Sequence, residues 1–337
     1  MGTGHVMRCL VLADLFKKNG TKVEFVCRSH KGNSIDKIIS NGFNVYELAA
    51  PKNIELEVSS QYSQWLGVKQ KQDADDCIEL IKEEKVNWVI VDHYGIDDQW
   101  HKDIKPYCEK LMVIDDLADR KFDCHLLLNQ NLGIEKKHYS NKVPLDCILL
   151  LGTKYALLRP EFSRLRYKAI VKRTNTNSVN NIIISMGGSD IDNITHSILE
   201  NIPNSYSVVV VLGKNSPHNK MLKNYVKDKN IKILIDSNNM AELMFDADLA
   251  IGAGGSTSWE RCCLSLPTLI FLIDKNQGMI VKQLVKCGSV KLIENIKSIK
   301  NNLEDIENNI RLWTLMMRKS KNICDGLGAN RVRNYVK

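Results

Sequence analysis

Near its amino terminus the chain reads Met1-Gly2-Thr3-Gly4-His5, and the helix-compatible run Val6 to Lys18 follows, ended by Asn19-Gly20. A histidine at the mouth of a helix can do proton chemistry. The helix dipole and free backbone N–H groups there favour neighbouring anions and disfavour a protonated ring, and a neutral imidazole is what a general base needs. The same position suits a histidine that only caps the helix, and residue type alone leaves both readings open. Asp92-His93-Tyr94-Gly95 follows the apolar run Trp88 to Val91. That places it on a loop at the carboxyl end of a strand, where polar residues bind substrate or cap the next segment. Asp115-Asp116 follows a second such run, Leu111 to Ile114. Two adjacent carboxylates with no clustered third ligand make a poor metal site and a good turn, so no metal is expected.

The second half offers two glycine-rich turns. Ser185-Met186-Gly187-Gly188-Ser189-Asp190 ends a strand and opens a helix. Its glycines let backbone approach a phosphate, and Ser189 or Asp190 can cap the helix. The run Gly252-Ala253-Gly254-Gly255-Ser256-Thr257-Ser258-Trp259-Glu260 is the stronger signal. It again joins a buried strand to a helix, and its N-terminal amides and hydroxyls could cradle a diphosphate. Glu260, one turn in, can accept both hydroxyls of a ribose. Thr257 and Glu260 also fit a capping box, which leaves the glycines unexplained. No Walker-type lysine pattern exists, which disfavours ATP hydrolysis of the usual kind.

The elements that must position these residues alternate between apolar, β-branched runs and amphipathic stretches. Val23 to Cys27, Trp88 to Val91, Leu111 to Ile114 and Cys147 to Leu151 read as strands. So do Ile182 to Ser185, Ser207 to Leu212, Ile231 to Ile235, Asp248 to Ile251 and Thr268 to Leu272. Several lack alternation, as parallel strands buried on both faces do. Helical patterns such as Asp75 to Glu84, Glu242 to Phe245 and Gly278 to Lys286 lie between them. Strand, helix, strand without hairpin signals argues for doubly wound α/β units. The polar, basic stretch Tyr167 to Asn181 is the expected boundary. It separates an N-terminal Rossmann-like domain over 1–167 from a C-terminal one over 181–310, with helices over 311–337 that can pack back across the junction. A glycine turn opening a helix is normally preceded by a central strand, and none precedes Gly2, so the natural protein is expected to start upstream.

Composition closes off other classes. At 337 residues, with 44% hydrophobic and 26% charged residues, the chain is globular rather than disordered, with room for two domains. No apolar run reaches the roughly 18–20 residues needed to span a bilayer, so membrane insertion is not expected. The net charge is 47 − 39 = +8, scattered without a basic arm. It suits an anionic substrate or a solvated basic surface and gives no nucleic-acid-binding block. Ten cysteines without a C-x-x-C pair read as reduced, buried thiols, hence a cytoplasmic protein.

Taken in order, GTGHVMRCL, VDHYGID, IDDLADR, LLLNQN, LGTKYALLRPEF, SMGGSD, IGAGGSTSWE and DGLGANRV resemble one family over essentially the whole chain. It is the UDP-sugar hydrolases of pseudaminic acid biosynthesis, relatives of the lipid II-forming N-acetylglucosaminyltransferase and of other GT-B enzymes. The resemblance implies a GT-B fold, two Rossmann-like domains facing a central cleft. The implied reaction is metal-independent hydrolysis of UDP-2,4-diacetamido-2,4,6-trideoxy-β-L-altropyranose to UDP and the free sugar. A UDP-sugar is then the only implied partner and no cofactor is implied. The family's base is the histidine of its G-x-G-H motif, here His5 beside Gly4, which would take a proton from water attacking C1 with inversion. By the same carry-over Tyr94 would line the sugar site, and Gly187 and Gly188 would border the phosphates. Gly254, Gly255, Ser256 and Thr257 would hold the diphosphate and Glu260 the ribose, while Asn276 and Gln277 would face nucleotide or sugar. Arg159 in LLRPEF suits an anion contact and equally an ion pair with Glu161 or a neighbour. The alternatives are a GT-B glycosyltransferase and, from another class, a non-catalytic nucleotide-sugar-binding regulator.

Overall fold

A computed structural model describes residues 3–50, 62–188, 190–227 and 229–336. Gly2 and Ser189, singled out above, lie outside the described residues. The chain divides into two compact units, Thr3–Leu157 with Ala329–Lys337, and Leu158–Gly328.

The first unit opens with the helix Thr3–Lys18 and carries β1 (Glu24–Arg28), β2 (Asn44–Leu48), β3 (Trp88–Val91), β4 (Lys110–Ile114), β5 (Leu126–Asn129) and β6 (Ile148–Leu151). Every pairing is parallel. β1 joins β2 in one sheet, and β3-β4-β5-β6 form another. Among the described residues no strand pair links the two sheets; the N-terminal helix does. It sends Leu10 and Ala13 onto Ile38 and Phe43 beside β1 and β2, and Val11, Leu12 and Phe16 onto Met112, Ile114 and Leu126 of the larger sheet. Burying each such leucine or phenylalanine contributes about 1.5–3 kcal/mol, so this helix is the apolar keystone of the unit. The closing helix Gly328–Arg333 adds Ala329 and Val332 to the same cluster.

The second unit holds β7 (Asn181–Ser185), β8 (Ser207–Leu212), β9 (Ile231–Ile235), β10 (Leu249–Ala253), β11 (Thr268–Phe271) and β12 (Val290–Leu292). They form one parallel sheet in the order β12-β11-β10-β7-β8-β9. Counting β7 as first, this is the doubly wound 3-2-1-4-5-6 order, with its topological switch point between β7 and β10. The two glycine turns leave the sheet from the carboxyl ends of those two strands. Their place at the switch point is therefore fixed by connectivity, whatever their sequence.

Three strands escaped the sequence reading. β2 is mostly exposed, β5 is four residues long, and β12 is three. β2 and β12 are too weakly patterned or too short to stand out, whereas β5, no shorter than β3, β6 or β11, was simply missed. The stretch from Tyr167 expected as a linker is instead helix as far as Thr174, part of Pro160–Thr174. Its basic residues, which looked like linker composition, are structural donors. Lys172 bonds the carbonyls of Phe245 and Asp246 and buried Arg173 those of Met244 and Ala247, while Arg166, just before the stretch, bonds those of Cys263, Lys321 and Cys324. All ten cysteines are unbridged. Among the described residues no helix is long and apolar enough to cross a membrane.

Two glycines distinguish packing from openness. A Cβ on Gly213 would stand 1.9 Å from the carbonyl oxygen of Gly188, whereas one on Gly255 would meet nothing within 4 Å. Gly213→Ala is expected to cost about 2–3 kcal/mol by forcing backbone apart, and Gly255→Ala to change stability by under about 1 kcal/mol. Chemical denaturation of both variants checks this, and equal stability would refute it.

Candidate active site

In the first unit the chemistry gathers on residues that three elements bring together. His5 lies in the first turn of the N-terminal helix, and Arg8, three residues on, shares its face. Asp92 follows β3 directly, and Asp116 follows β4 by two residues. His5 Nδ1 lies 2.6 Å from Asp92 Oδ1, and Arg8 grips the same carboxylate with Nε at 2.6 Å and Nη2 at 2.7 Å. A third nitrogen of Arg8, Nη1, lies 2.7 Å from Asp116 Oδ2, to which the Tyr94 hydroxyl donates at 2.5 Å. The chain closes on itself, because the His5 and Tyr94 rings meet edge to face with centroids 4.7 Å apart.

Charge sets the state of this network. Burial pushes the Asp92 carboxyl up, but Arg8 and His5 outweigh it and hold the group well below the usual carboxylate range. An ionised Asp92 accepts and cannot donate, so His5 Nδ1 carries the hydrogen. In the neutral ring Nε2 is then left as a proton acceptor. His5 is therefore not a helix cap: its Nδ1 is bonded to the Asp92 side chain. Asp92, read from sequence as a substrate contact or a cap, orients the imidazole instead.

Tyr94 is buried, with its phenol donated to Asp116 and its ring stacked on Trp65 at 5.7 Å. Burial and the Asp116 charge raise its hydroxyl well above the usual tyrosine value, which keeps it a donor. Asp115, its sequence twin beside Asp116, faces inward. It accepts from Ala118 N at 2.7 Å, from the Tyr139 hydroxyl at 2.6 Å and from Arg120 at 3.1 Å, and so fixes the loop. The structural reading of that acidic pair thus holds for Asp115, while Asp116 joins the network. Arg8 and Trp65 were missed in the sequence. Arg8 sat in plain view at i+3 from His5; Trp65 becomes legible only when its segment folds onto Tyr94.

In the second unit Gly187 adopts the left-handed φ of 96° that suits glycine, and the Gly188 backbone lies against Gly213. Asp190 accepts from the amides of Ile194 at 2.9 Å and Thr195 at 3.0 Å, so this turn's helix is capped by a side chain of its own. Gly254 differs from expectation. Its amide is spent on Phe271 O and on Gln277 Oε1, both at 3.1 Å, and a Cβ there would stand 2.3 Å from Val281. It is a packing glycine, and Gln277 pins it from the turn Lys275–Gln277 while Asn276 N bonds Asp274. Gly255 is the open one. Ser256 precedes the helix Thr257–Cys263 without a side-chain cap bond, and the Thr257 hydroxyl accepts from Arg261 at 3.3 Å.

The capping box expected of Thr257 and Glu260 does not form. Glu260 faces Arg159 Nη2 at 3.8 Å, and Arg159 also reaches Glu161 at 3.3 Å and Asn238 O at 2.9 Å. Of the two readings of Arg159, the ion pair is the one the structure carries. Burial raises the Glu260 carboxyl against the pull of Arg159 and Arg261, to about 7. A carboxylate held in reserve at that value takes up hydrogen-bond donors readily.

The second unit matches the glycosyltransferase family 28 C-terminal domain over residues 182–327. MurG of Acinetobacter baumannii, a solved structure, superposes with a TM-score of 0.64 at 15% identity over 99% of this chain and 96% of that one. The fold is thus GT-B, two α/β units with parallel sheets. Within it, the chain belongs to the family of the UDP-2,4-diacetamido-2,4,6-trideoxy-β-L-altropyranose hydrolase. It is 31% identical over 290 residues to that protein of Campylobacter jejuni, covering 86% of this chain and 93% of the relative. It is also 32% identical to MJ1062 of Methanocaldococcus jannaschii over 82% of this chain, but spans only 54% of that protein's length.

The network makes a prediction of its own. Asp92→Asn keeps the shape but removes the charge shared by His5 and Arg8, and is expected to cost about 3 kcal/mol of stability. In ¹⁵N NMR the neutral His5 ring should shift from the Nδ1–H tautomer towards a mixture. An unchanged tautomer would refute the orienting role.

Proposed function

We propose that the protein hydrolyses a UDP-sugar at C1, with UDP-2,4-diacetamido-2,4,6-trideoxy-β-L-altropyranose as substrate. The observation that carries this reading is the His5–Asp92 pair, an imidazole with one nitrogen tied to a buried carboxylate and the other left to accept. His5 takes a proton from water as the water oxygen bonds C1. The bond from C1 to the diphosphate oxygen breaks on the opposite face, so the configuration inverts. The electron pair leaves with UDP, and the departing charge is met by the amides of Gly255, Ser256 and Thr257, where a helix start leaves N–H groups without intrahelical partners. Gly187 and Gly188 border the phosphates from the other side of the switch point, and Glu260 accepts from the ribose hydroxyls.

Other roles change in this account. Tyr94 shapes the sugar site as the wall behind His5, since its hydroxyl belongs to Asp116. Gly254 and Gln277 brace the diphosphate loop, while Asn276, whose backbone amide bonds Asp274, faces nucleotide or sugar with its side chain. Arg159 tunes Glu260. A transferase on the same fold would need a second substrate to release UDP, and a regulator would release none.

Two measurements test this reading. His5→Asn should lower turnover by roughly 10²–10⁴ while UDP affinity stays within about twofold, because the nucleotide contacts lie on the second unit. Equal turnover in the variant, or no UDP released without an acceptor, would sink the proposal. The Glu260 carboxylate gives a pH signature. Only its ionised form accepts both hydroxyls, so affinity is full above about pH 7 and is lost as pH falls through that value. For an unhydrolysed UDP-sugar, whose diphosphate does not itself titrate in this range, calorimetry should show roughly tenfold weaker binding at pH 6 than at pH 8. Glu260→Gln should flatten that dependence, and a wild-type affinity independent of pH would contradict the ribose contact.

A further inference from the structure

Arg261 stands in the helix Thr257–Cys263 but turns its guanidinium back under the loop that precedes the helix. Nη2 donates to Ala253 O at 2.7 Å and to Ser258 Oγ at 3.0 Å, and Nη1 reaches Thr257 Oγ1 at 3.3 Å. The side chain is buried, with the residue only 2% exposed. Gly252 is shaped to it, since a Cβ there would stand 2.5 Å from Nη1 and 2.9 Å from Ser185 O. Each of the three hydrogen-bond acceptors is neutral. The adjacent carboxylate, Glu260, turns to Arg159 instead.

Other guanidinium groups of the chain are partnered differently. Arg8 faces Asp92 and Asp116, and Arg120 faces Asp115. Arg173 is bonded to carbonyls, but those of Met244 and Ala247 end the helix Met240–Asp246 and carry its negative pole. Ala253 ends a strand and offers no such pole. Burial pulls the Arg261 guanidinium down to about 10 against the pull of neighbours that include Glu260, and it lowers buried Arg173 to about 10 as well. A buried cation whose hydrogen bonds all go to neutral oxygens costs the free protein stability.

We propose that Arg261 is a positioning residue for the diphosphate of a nucleoside diphosphate, its buried charge, hydrogen-bonded only to neutral oxygens in the free protein, being matched further when that group occupies the loop Gly252–Thr257. By occupying a lone pair of the Thr257 hydroxyl, it also leaves that hydroxyl's hydrogen to donate to a phosphate oxygen. The proposal rests on the nucleotide reading above and adds to it the source of the charge. It assigns to Arg261 a contribution felt by the diphosphate and not by the nucleoside.

The test compares UDP with uridine, and adds inorganic pyrophosphate as an anion without a base. Arg261→Gln keeps donors for Ala253 and Ser258 but loses the charge; Arg261→Lys keeps the charge. UDP affinity should fall on the order of tenfold or more in Arg261→Gln, uridine affinity should stay within about twofold, and Arg261→Lys should retain most of the UDP affinity. Pyrophosphate should raise the wild-type melting temperature, and this needs no variant. If Arg261→Gln loses UDP and uridine alike, or pyrophosphate leaves the wild type unmoved, the proposal is overturned while the nucleotide site stands. A wild-type protein that binds neither UDP nor uridine overturns both.

Discussion

A single buried carboxylate, Asp92, sets the chemistry of the first unit. Left alone at the end of a parallel strand it would be costly, and burial would drive it to take up a proton. Arg8 prevents that by clasping both of its oxygens, and one of those oxygens is then free to fix the His5 tautomer. Arg8 needs Asp116 as well, and Asp116 in turn holds the Tyr94 hydroxyl. The members therefore depend on one another, and substitutions among them should not add. The N-terminal helix supplies both His5 and Arg8. The same helix packs Leu10 and Ala13 on one sheet and Val11, Leu12 and Phe16 on the other, so the geometry of His5 is tied to the core of the unit.

The second unit solves the opposite electrostatic problem. In the proposed reading its switch point receives negative charge, through backbone geometry and a buried cation, Arg261, whose hydrogen bonds go to neutral oxygens. Gly187, Gly252 and Gly255 serve three purposes: a left-handed turn, room for a guanidinium, and open space. Gly254 serves a fourth, close packing on Val281. Sharing a residue type in one motif does not mean sharing a role.

Much of this was legible in the sequence, for definite reasons. The observed limits of β3, β8 and β9 match the expected ones: β3 is apolar throughout, β8 is apolar after Ser207, and β9 is apolar but for Lys232. The carboxyl-end loops after β3, β4, β7 and β10 followed from connectivity, which fixes the side of the sheet on which they emerge. The misses arose where long-range packing decides. Tyr167 to Thr174 has linker composition, yet Lys172 and Arg173 find carbonyls more than seventy residues away and the segment stays helical. Thr257 and Glu260 have capping-box spacing, but Arg261 and Arg159 compete for the two side chains and win. Asp92 could not be paired with His5 from sequence, since 87 residues separate them.

The central claim is that an oriented His5 delivers water to the sugar carbon and that the diphosphate only departs. Turnover of the UDP-2,4-diacetamido sugar in ¹⁸O-labelled water, read by mass spectrometry of both products, addresses it directly. The account predicts one ¹⁸O on the C1 hydroxyl of the sugar and none in UDP. Label in UDP would mean attack at phosphorus and would contradict the role given to His5 and Asp92.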